Sequence, residues 1–137
     1  MIPADGRPVD AAGAADIMGM AYQTFRNKRI ATQEGAPAPF NPGSRKLLYD
    51  AAQWEAYRAG RELPTRPARM HPHPDDLLDG PEAAAYLGVD YGTVRRYQKE
   101  ERLTVVEVCG VPHFRRHALD ARRDNPGRPG RPPNAAG

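Results

Sequence analysis

The chain has 137 residues, with 20 Lys or Arg and 17 Asp or Glu, so its formal net charge is +3. A charge this close to neutral excludes any argument for a nucleic-acid partner from net charge alone, and the placement of the charged residues must decide. Cys109 is the single cysteine, so an intrachain disulfide is excluded. The sequence has no apolar run of about 18 residues, the length that a membrane span needs, and no signal peptide pattern. We therefore expect a cytoplasmic protein.

A repeat divides the chain into two similar parts. Residues 10–26 read DAAGAADIMGMAYQTFR and align without a gap with residues 79–95, which read DGPEAAAYLGVDYGTVR, 69 positions later. The alignment places identical residues opposite each other, including Gly19 and Gly88. A repeat of this length predicts two copies of one small folding unit.

Composition sets the expected boundaries of the two units. We expect the first unit at residues 1–60 and the second at residues 77–123. Between them, residues 61–76 hold four prolines, which favour an extended linker. The tail, residues 124–137, is rich in Gly, Arg and Pro and has few apolar side chains, so we expect it to be disordered.

The first unit should repeat the elements of the second unit with one insertion. Ala21 stands at the cap position of its second helix, where the second unit has an aspartate, so this helix should be less stable by about 1 kcal/mol. A loop interrupted by prolines leads to a long turn at residues 41–46, followed by a strand at residues 47–49. Trp54 in the closing helix matches Leu119 of the second unit.

In the second unit, the sequence predicts two consecutive helices. Gly80-Pro81-Glu82 marks the first helix start, because proline fits the first turn and glutamate suits the positive end of the helix dipole. Gly88 should end this helix in the left-handed conformation, and Asp90 should cap a second helix over residues 91–100. Val94 should face the core, which leaves the basic side chains of the second helix outside.

The residues after this helix predict β-structure. Residues 103–108 are rich in β-branched side chains, Cys109-Gly110 can form a turn, and residues 111–114 can return as a second strand. We expect this hairpin to project as a wing. A last helix at residues 117–123 should pack Leu119 beneath the hairpin.

Residues 81–100 read PEAAAYLGVDYGTVRRYQKE, and the predicted hairpin is followed by FRRHALDA. These motifs resemble the MerR/excisionase-type winged helix-turn-helix family, whose members usually carry Pro-Glu-x-Ala-x-x-Leu-Gly-Val-Ser and then Thr-Val-Arg-Arg-Trp. The match covers residues 78–123 closely and residues 10–60 more loosely, with Asn27 and Lys28 replacing the second arginine and the aromatic residue. The resemblance implies a mainly α fold with small β-hairpin wings, arranged as two tandem winged helix-turn-helix units.

The resemblance also implies that the second helix of each unit enters the major groove of double-stranded DNA, while the wing touches the neighbouring backbone. Arg and Lys on a helix face neutralise phosphates and release counterions. Side chains near the helix N-terminus reach base edges, and Gln or Asn can pair with adenine. The candidate DNA-binding residues are Tyr22, Gln23, Thr24, Arg26, Asn27, Lys28, Ser44, Arg45, Lys46, Tyr91, Thr93, Arg95, Arg96, Gln98, Lys99, His113 and Arg115.

Several of these candidates have a structural alternative. The cations of the second unit's helix would form an ordinary solvated face if Glu100 and Glu101 paired with them. The repeated tyrosines, Tyr22 and Tyr91, would either bond to phosphates or pack against the core. Arg115 would pair with an acid beneath the wing.

The sequence offers no catalytic residue, metal site or cofactor site. His71 and His73 lie near Asp75 and Asp76, but a flexible linker does not preorganise a metal site. The chain has neither a phosphate-binding loop nor a nucleophile elbow. Because no basic cluster stands beside Cys109 in the sequence, an ordinary turn residue is favoured over a redox sensor.

We therefore expect a nucleoid-associated bacterial protein that binds double-stranded DNA selectively and regulates transcription in a repressor-like way. Its two helices would read adjacent half-sites, and copies of the chain would bind cooperatively. An excisionase-like protein that bends DNA for an integrase is the first alternative. The alternative of another class is a protein-interaction adaptor or a phage packaging subunit.

Overall fold

The structure is a computed structural model and describes residues 1–67 and 71–124. Within these ranges the chain forms six helices and two small antiparallel sheets. This mixture of helices with small sheets agrees at that level with the sequence prediction. Asp124 belongs to the last helix and not to the predicted tail, the rest of which lies outside the described residues. Among the described residues, no helix is long and apolar enough to cross a membrane.

The elements follow one another in an order that repeats a pair of helices, a sheet and a closing helix. They are β1 Pro8–Val9, α1 Ala11–Met18, α2 Tyr22–Asn27, a 3-10 helix Ile30–Thr32, β2 Tyr49–Asp50, α3 Ala51–Arg58, β3 Leu77–Asp79, α4 Gly80–Leu87, α5 Tyr91–Lys99, β4 Val106–Val108, β5 Val111–Arg115 and α6 Arg116–Asp124.

Helix α4 begins at Gly80 and ends before Gly88 as the sequence predicts, and α1 has equivalent limits in the first half. Asp10 caps α1 by accepting a hydrogen bond from the N–H three residues later at 2.9 Å, and Asp79 caps α4 through reciprocal hydrogen bonds with Glu82. Gly19 and Gly88 end these helices with φ angles of 75° and 72°, a conformation that glycine adopts without steric cost.

The second helices of the two halves start differently. Asp90 caps α5, because its carboxylate accepts a hydrogen bond from the Thr93 N–H at 2.7 Å. Ala21 precedes α2 and supplies no side-chain hydrogen bond. The predicted difference in capping is confirmed, and α2 has six residues where α5 has nine.

The three-stranded sheet of the second half has the order β3-β5-β4. The β4–β5 hairpin turns at Cys109 and Gly110 as predicted, but β4 begins at Val106 and not at Leu103. Leu103 is instead buried in the core, after Glu101 has turned the chain with a φ of 60°. Strand β3, which the sequence analysis did not predict, pairs with β5 and makes it the central strand.

The first half does not form the predicted hairpin. Strand β2 pairs with β1, which precedes α1, and not with a strand before the turn at residues 41–46. Three prolines within residues 37–42 have no N–H for a strand ladder. The two sides of the turn are joined by a hydrogen bond from the Phe40 N–H to the Leu48 carbonyl at 2.8 Å. Residues 41–46 therefore form a loop instead of a wing.

Each half has its own apolar core. In the first half, Trp54 is fully buried and its ring meets Phe25 edge-on at a centroid distance of 5.4 Å. In the second half, α4, α5, α6 and the sheet bury Val94, Phe114 and Leu119. The predicted match between Trp54 and Leu119 is confirmed, because both lie at the centre of their cores.

A third core joins the two halves. Ile2 and Leu48 from the first half are buried together with Val108 from the second half. Ile2 also forms an antiparallel bridge with Leu77, next to the three-stranded sheet. This cluster, which we call the third core, packs the two halves against each other.

The segment between the halves is anchored at its described ends. Arg66 donates hydrogen bonds to Asp50 at 2.7 Å and to Asp5 at 2.9 Å. Asp76 is 1% exposed and accepts a hydrogen bond from the Ala4 N–H at 2.9 Å. These parts of the predicted linker pack against the body of the protein, so they do not act as a freely extended spacer.

Candidate functional site

The outer face of α5 carries three exposed cations, Arg95, Arg96 and Lys99. None of them forms an ion pair with an acid of the described residues. Glu100, an expected partner, lies 3.2 Å from Arg102 instead. These three cations are therefore not held in ion pairs in the described part of the chain, although the Asp90 carboxylate at the helix cap interacts with the charge of Arg96.

Tyr91 organises the N-terminal end of the α5 face. Its ring packs so closely on Gly80 that a Cβ at that glycine would lie 2.2 Å from the Tyr91 Cε1. The tyrosine is nevertheless 43% exposed, and the Arg95 guanidinium carbon lies 5.9 Å from its ring centroid. This distance permits a cation–π attraction, which favours an ordered Arg95. Tyr91 can therefore both pack against Gly80 and present part of its ring to a partner at the surface.

An open groove runs along α5, and each side chain that lines it carries hydrogen-bond donors. The side chains of Arg95, Arg96, Gln98 and Lys99 contribute, together with the backbone at Gly92. Guanidinium and ammonium groups have donors and no acceptor, so the groove suits an anionic partner. Thr93 and Gln98 are partly exposed on the same helix.

Asp90 caps α5 beside these cations. The hydrogen bond from the backbone of Thr93, then that from its side chain, and the charge of Arg96 lower the pKa of the Asp90 carboxyl. Asp90 is therefore ionised at neutral pH, where it also interacts favourably with the positive end of the helix dipole. The cap fixes where the exposed face of α5 begins.

The corresponding face of α2 carries more amides. The Gln23 Nε2 donates to the Asn27 Oδ1 at 3.4 Å, one helical turn along. Two amides held together on an exposed face suit recognition of a base edge, where a donor and an acceptor are read together. Tyr22, Gln23, Arg26, Asn27 and Lys28 are exposed, and Thr24 is partly exposed.

The loop beside α2 is braced by Asn41, which the sequence analysis did not single out. The Asn41 Nδ2 donates to the Lys46 carbonyl at 2.9 Å, and its Oδ1 accepts from the Leu48 N–H at 2.8 Å. Tyr22, Arg45 and Lys46 line one groove as a result. An asparagine before Pro-Gly is a turn signal, so this role was accessible from the sequence.

Lys46, which the sequence predicts as a DNA contact, also makes a contact between the halves. Its Nζ donates to the Cys109 carbonyl at 2.6 Å and lies 3.7 Å from the Asp10 carboxylate. Arg45 stays exposed and Ser44 partly exposed. Burial raises the pKa of the Cys109 thiol, which therefore stays protonated at neutral pH.

The structure bears on two candidate residues of the second hairpin. His113 is 1% exposed, with its Nδ1 3.0 Å from a backbone carbonyl, so it is removed from the candidate contacts. Its cross-strand partner Val106 packs on the third core, which shows that the first half covers this sheet face. Arg115 is exposed, and the arginine that pairs with a buried acid is Arg116, 3.5 Å from Asp76.

Arg29 extends the basic surface of the first half beyond the predicted set. It follows α2 in a left-handed conformation, with a φ of 53°, and is exposed. It lines a groove with Tyr22 and Arg26. No local signal predicts this placement, because arginine rarely adopts a positive φ.

No group of three or more His, Cys, Asp and Glu residues is arranged to hold a metal ion within residues 1–67 and 71–124. In the predicted linker, the His73 Nδ1 accepts a hydrogen bond from the Asp75 N–H at 3.0 Å. Comparisons with protein-family models, curated proteins and solved structures find no match for this chain. A functional assignment therefore depends on the geometry of the two helix faces.

Proposed function

We propose that this chain binds double-stranded DNA selectively and regulates transcription, with α2 and α5 as the recognition helices of two helix-turn-helix units, the second of which carries the β4–β5 hairpin as a wing. The observation that carries the proposal is the exposed face of α5. Arg95, Arg96 and Lys99 have no ion-pair partner on it among the described residues. Such cations, on a helix that follows a tight glycine turn, suit a groove lined by phosphates.

The two ends of α5 contribute different contacts in this proposal. Thr93 lies in the first turn, at the end that approaches base edges, and Arg95 lies at mid-helix, where its long side chain can still reach guanine, the base that Arg reads most often. Lys99 lies in the last turn and reaches phosphates. Because the Tyr91 ring lies within cation–π distance of Arg95, we expect the arginine to lose less side-chain freedom on binding.

Helix α2 contributes sequence reading more than affinity. Its Gln23 and Asn27 amides face solvent together, and Arg26 and Lys28 supply phosphate contacts beside them. The two helix faces would occupy two half-sites of one operator. A protein held there in a repressor-like role would exclude polymerase, and neighbouring copies would add affinity through cooperative binding.

Selection from a pool of random duplexes, followed by affinity measurement on the winning sequence, tests this function. The full chain should enrich a defined sequence with two conserved half-sites. Arg95→Ala combined with Arg96→Ala should then weaken binding to that duplex at least about tenfold, because two charge-assisted contacts are lost. The melting temperature should stay nearly unchanged, since both side chains are exposed.

The control is Arg7→Ala combined with Arg61→Ala, which removes the same charge from two exposed positions, one in the first half, where Arg7 pairs with Glu55, and one in the segment that follows α3. This control should bind within about threefold of the unaltered chain, because screening weakens distant charges. Failure to enrich any sequence, together with association into rings, would instead support the protein-interaction adaptor.

The excisionase-like alternative is favoured by the third core. Because Ile2, Leu48 and Val108 pack the halves together, the two helix faces have a fixed relation, and a duplex that contacts both must adapt to it. Circularly permuted duplexes that carry the selected site test this alternative. Strong position-dependent mobility would favour DNA bending, and uniform mobility would favour a simple repressor.

A further inference from the structure

Tyr97 of α5 holds two arginines from two different helices. The guanidinium carbon of Arg122, in the last turn of α6, lies 4.2 Å from the Tyr97 ring centroid, and that of Arg96 lies 5.7 Å from it. Both distances permit cation–π attraction. The two guanidinium carbons are therefore no more than about 10 Å apart.

The acids of α6 do not neutralise this pair. The next residue, Arg123, lies 3.1 Å from Asp120 and 3.6 Å from Asp124, whereas neither Arg96 nor Arg122 has an ion-pair partner in the described part of the chain. Two like charges at this separation repel each other, and the ring offsets part of the repulsion. An anion held by both arginines would offset the remainder.

We propose that Arg122 and Arg96, ordered by Tyr97, form a phosphate-binding site that extends the DNA contact of α5 onto α6. This inference rests on the proposed function. One DNA strand presents a phosphate about every 3.4 Å of helix axis, so two guanidinium groups within about 10 Å reach the same stretch of backbone. Arg122 is half-buried, so its position is set by packing before DNA arrives.

The test uses the full chain and a labelled duplex of about 30 base pairs of mixed sequence, because phosphate contacts do not depend on sequence. Fluorescence anisotropy gives the binding constant between about 50 and 200 mM NaCl. Arg122→Gln should weaken binding roughly three- to tenfold and reduce the salt slope by about one. Arg123→Gln, its neighbour with acid partners, should change affinity less than about twofold and leave the slope unchanged.

A structural role for Arg122 predicts different results. If Arg122 had only a structural role, the Arg122→Gln variant would have a lower melting temperature, and the salt slope of its DNA binding would be unchanged. Arg122→Lys keeps the charge and should therefore retain the slope and most of the affinity. If the glutamine variant loses stability, Arg122→Met tests the slope instead, because it keeps the apolar stem without the charge and should lower the slope by about one.

Equal losses in the Arg122→Gln and Arg123→Gln variants would overturn the inference, because net charge alone would explain them. An unchanged slope in a folded Arg122→Gln variant would overturn it as well. In both cases the unaltered chain still binds the duplex, and the proposed function stands. If the unaltered chain bound no duplex at low salt, both the proposed function and this inference would be wrong.

Discussion

Single residues set how the α5 face is presented, and the contact between Gly80 and Tyr91 does so most directly. Gly80 opens α4 and is buried, and the Tyr91 ring occupies the space where its side chain would be. The same ring lies 5.9 Å from the Arg95 guanidinium carbon, within cation–π distance. The glycine therefore links the start of one helix to the exposed face of the next.

We expect Gly80→Ala to destabilise the fold by about 1–3 kcal/mol, because the new Cβ would lie 2.2 Å from the Tyr91 Cε1 and the ring would have to move. Gly92→Ala is the matched control, since the nearest atom to its Cβ is 3.5 Å away. Alanine favours a helix, so this control should leave stability unchanged or raise it. Thermal unfolding followed by circular dichroism measures both.

A double variant separates this clash from other effects of the alanine. With Tyr91→Ala in place, Gly80→Ala should cost much less, because the ring that it displaces is gone. The same cost in both backgrounds would show that the tyrosine does not restrict residue 80.

At the scale of secondary-structure elements, the main contrast is between α2 and α5. Both follow a glycine-ended helix, but Asp90 caps α5 and Ala21 leaves α2 without a side-chain cap. The stability of the first turn of α2 therefore depends on the packing of Phe25 in the core and on the neighbouring loop, which lines a groove together with Tyr22. How well the Gln23 and Asn27 side chains are ordered should depend on the same packing.

Ala21→Ser should stabilise the chain by about 0.5–1 kcal/mol, because serine can accept a hydrogen bond from the first turn of α2 without adding charge. Ala12→Ser makes the same substitution inside α1, at an exposed position, and should be neutral or slightly destabilising. Chemical denaturation of the two variants measures the difference. Equal effects would show that position 21 does not act as a cap.

The elements that the sequence predicts well are those with local signals. Asp10, Gly19, Asp79, Gly88 and Asp90 fix the helix ends through contacts within a few residues, so the helix pairs follow from the sequence. Strands β1 and β3 are two and three residues long and pair with distant segments, so no local pattern marks them.

The same distinction applies to the candidate site. The exposed cations of α5 follow from helical periodicity, whereas the burial of His113 and the engagement of Lys46 depend on contact between the halves. The alternation of apolar and polar residues along β5 does not reveal that the first half covers the sheet face on which His113 lies. Arg122 was missed for a similar reason, because its contact with Tyr97 joins two helices.

At the scale of the whole molecule, the third core changes how two half-sites would be read. A flexible linker would permit many spacings, whereas packing of Ile2, Leu48 and Val108 sets a single relation between the helix faces. The described ends of the segment between the halves are also anchored, through Arg66 and Asp76. Half-site spacing should therefore be a property of the folded body.

We expect a Gly-Gly-Ser insertion after Pro67 to leave the preferred half-site spacing unchanged, because the third core and not the linker sets it. Adding Ile2→Ala to the insertion should broaden the spacing preference, since this change removes buried apolar contact from the third core. Binding to duplexes that differ only in spacing measures both effects. A preference that shifts with the insertion alone would show that the halves act as tethered units.

The central claim, that the α5 face binds the phosphates and bases of DNA, is tested most directly by the salt dependence of binding to the selected duplex. The unaltered chain should show a slope that corresponds to roughly 4–8 phosphate contacts. The Arg95→Ala, Arg96→Ala variant should lose about one to two of them, together with the sequence preference at the half-site that α5 occupies. A flat salt response of the unaltered chain, or an equal slope and preference in the folded variant, would contradict the claim.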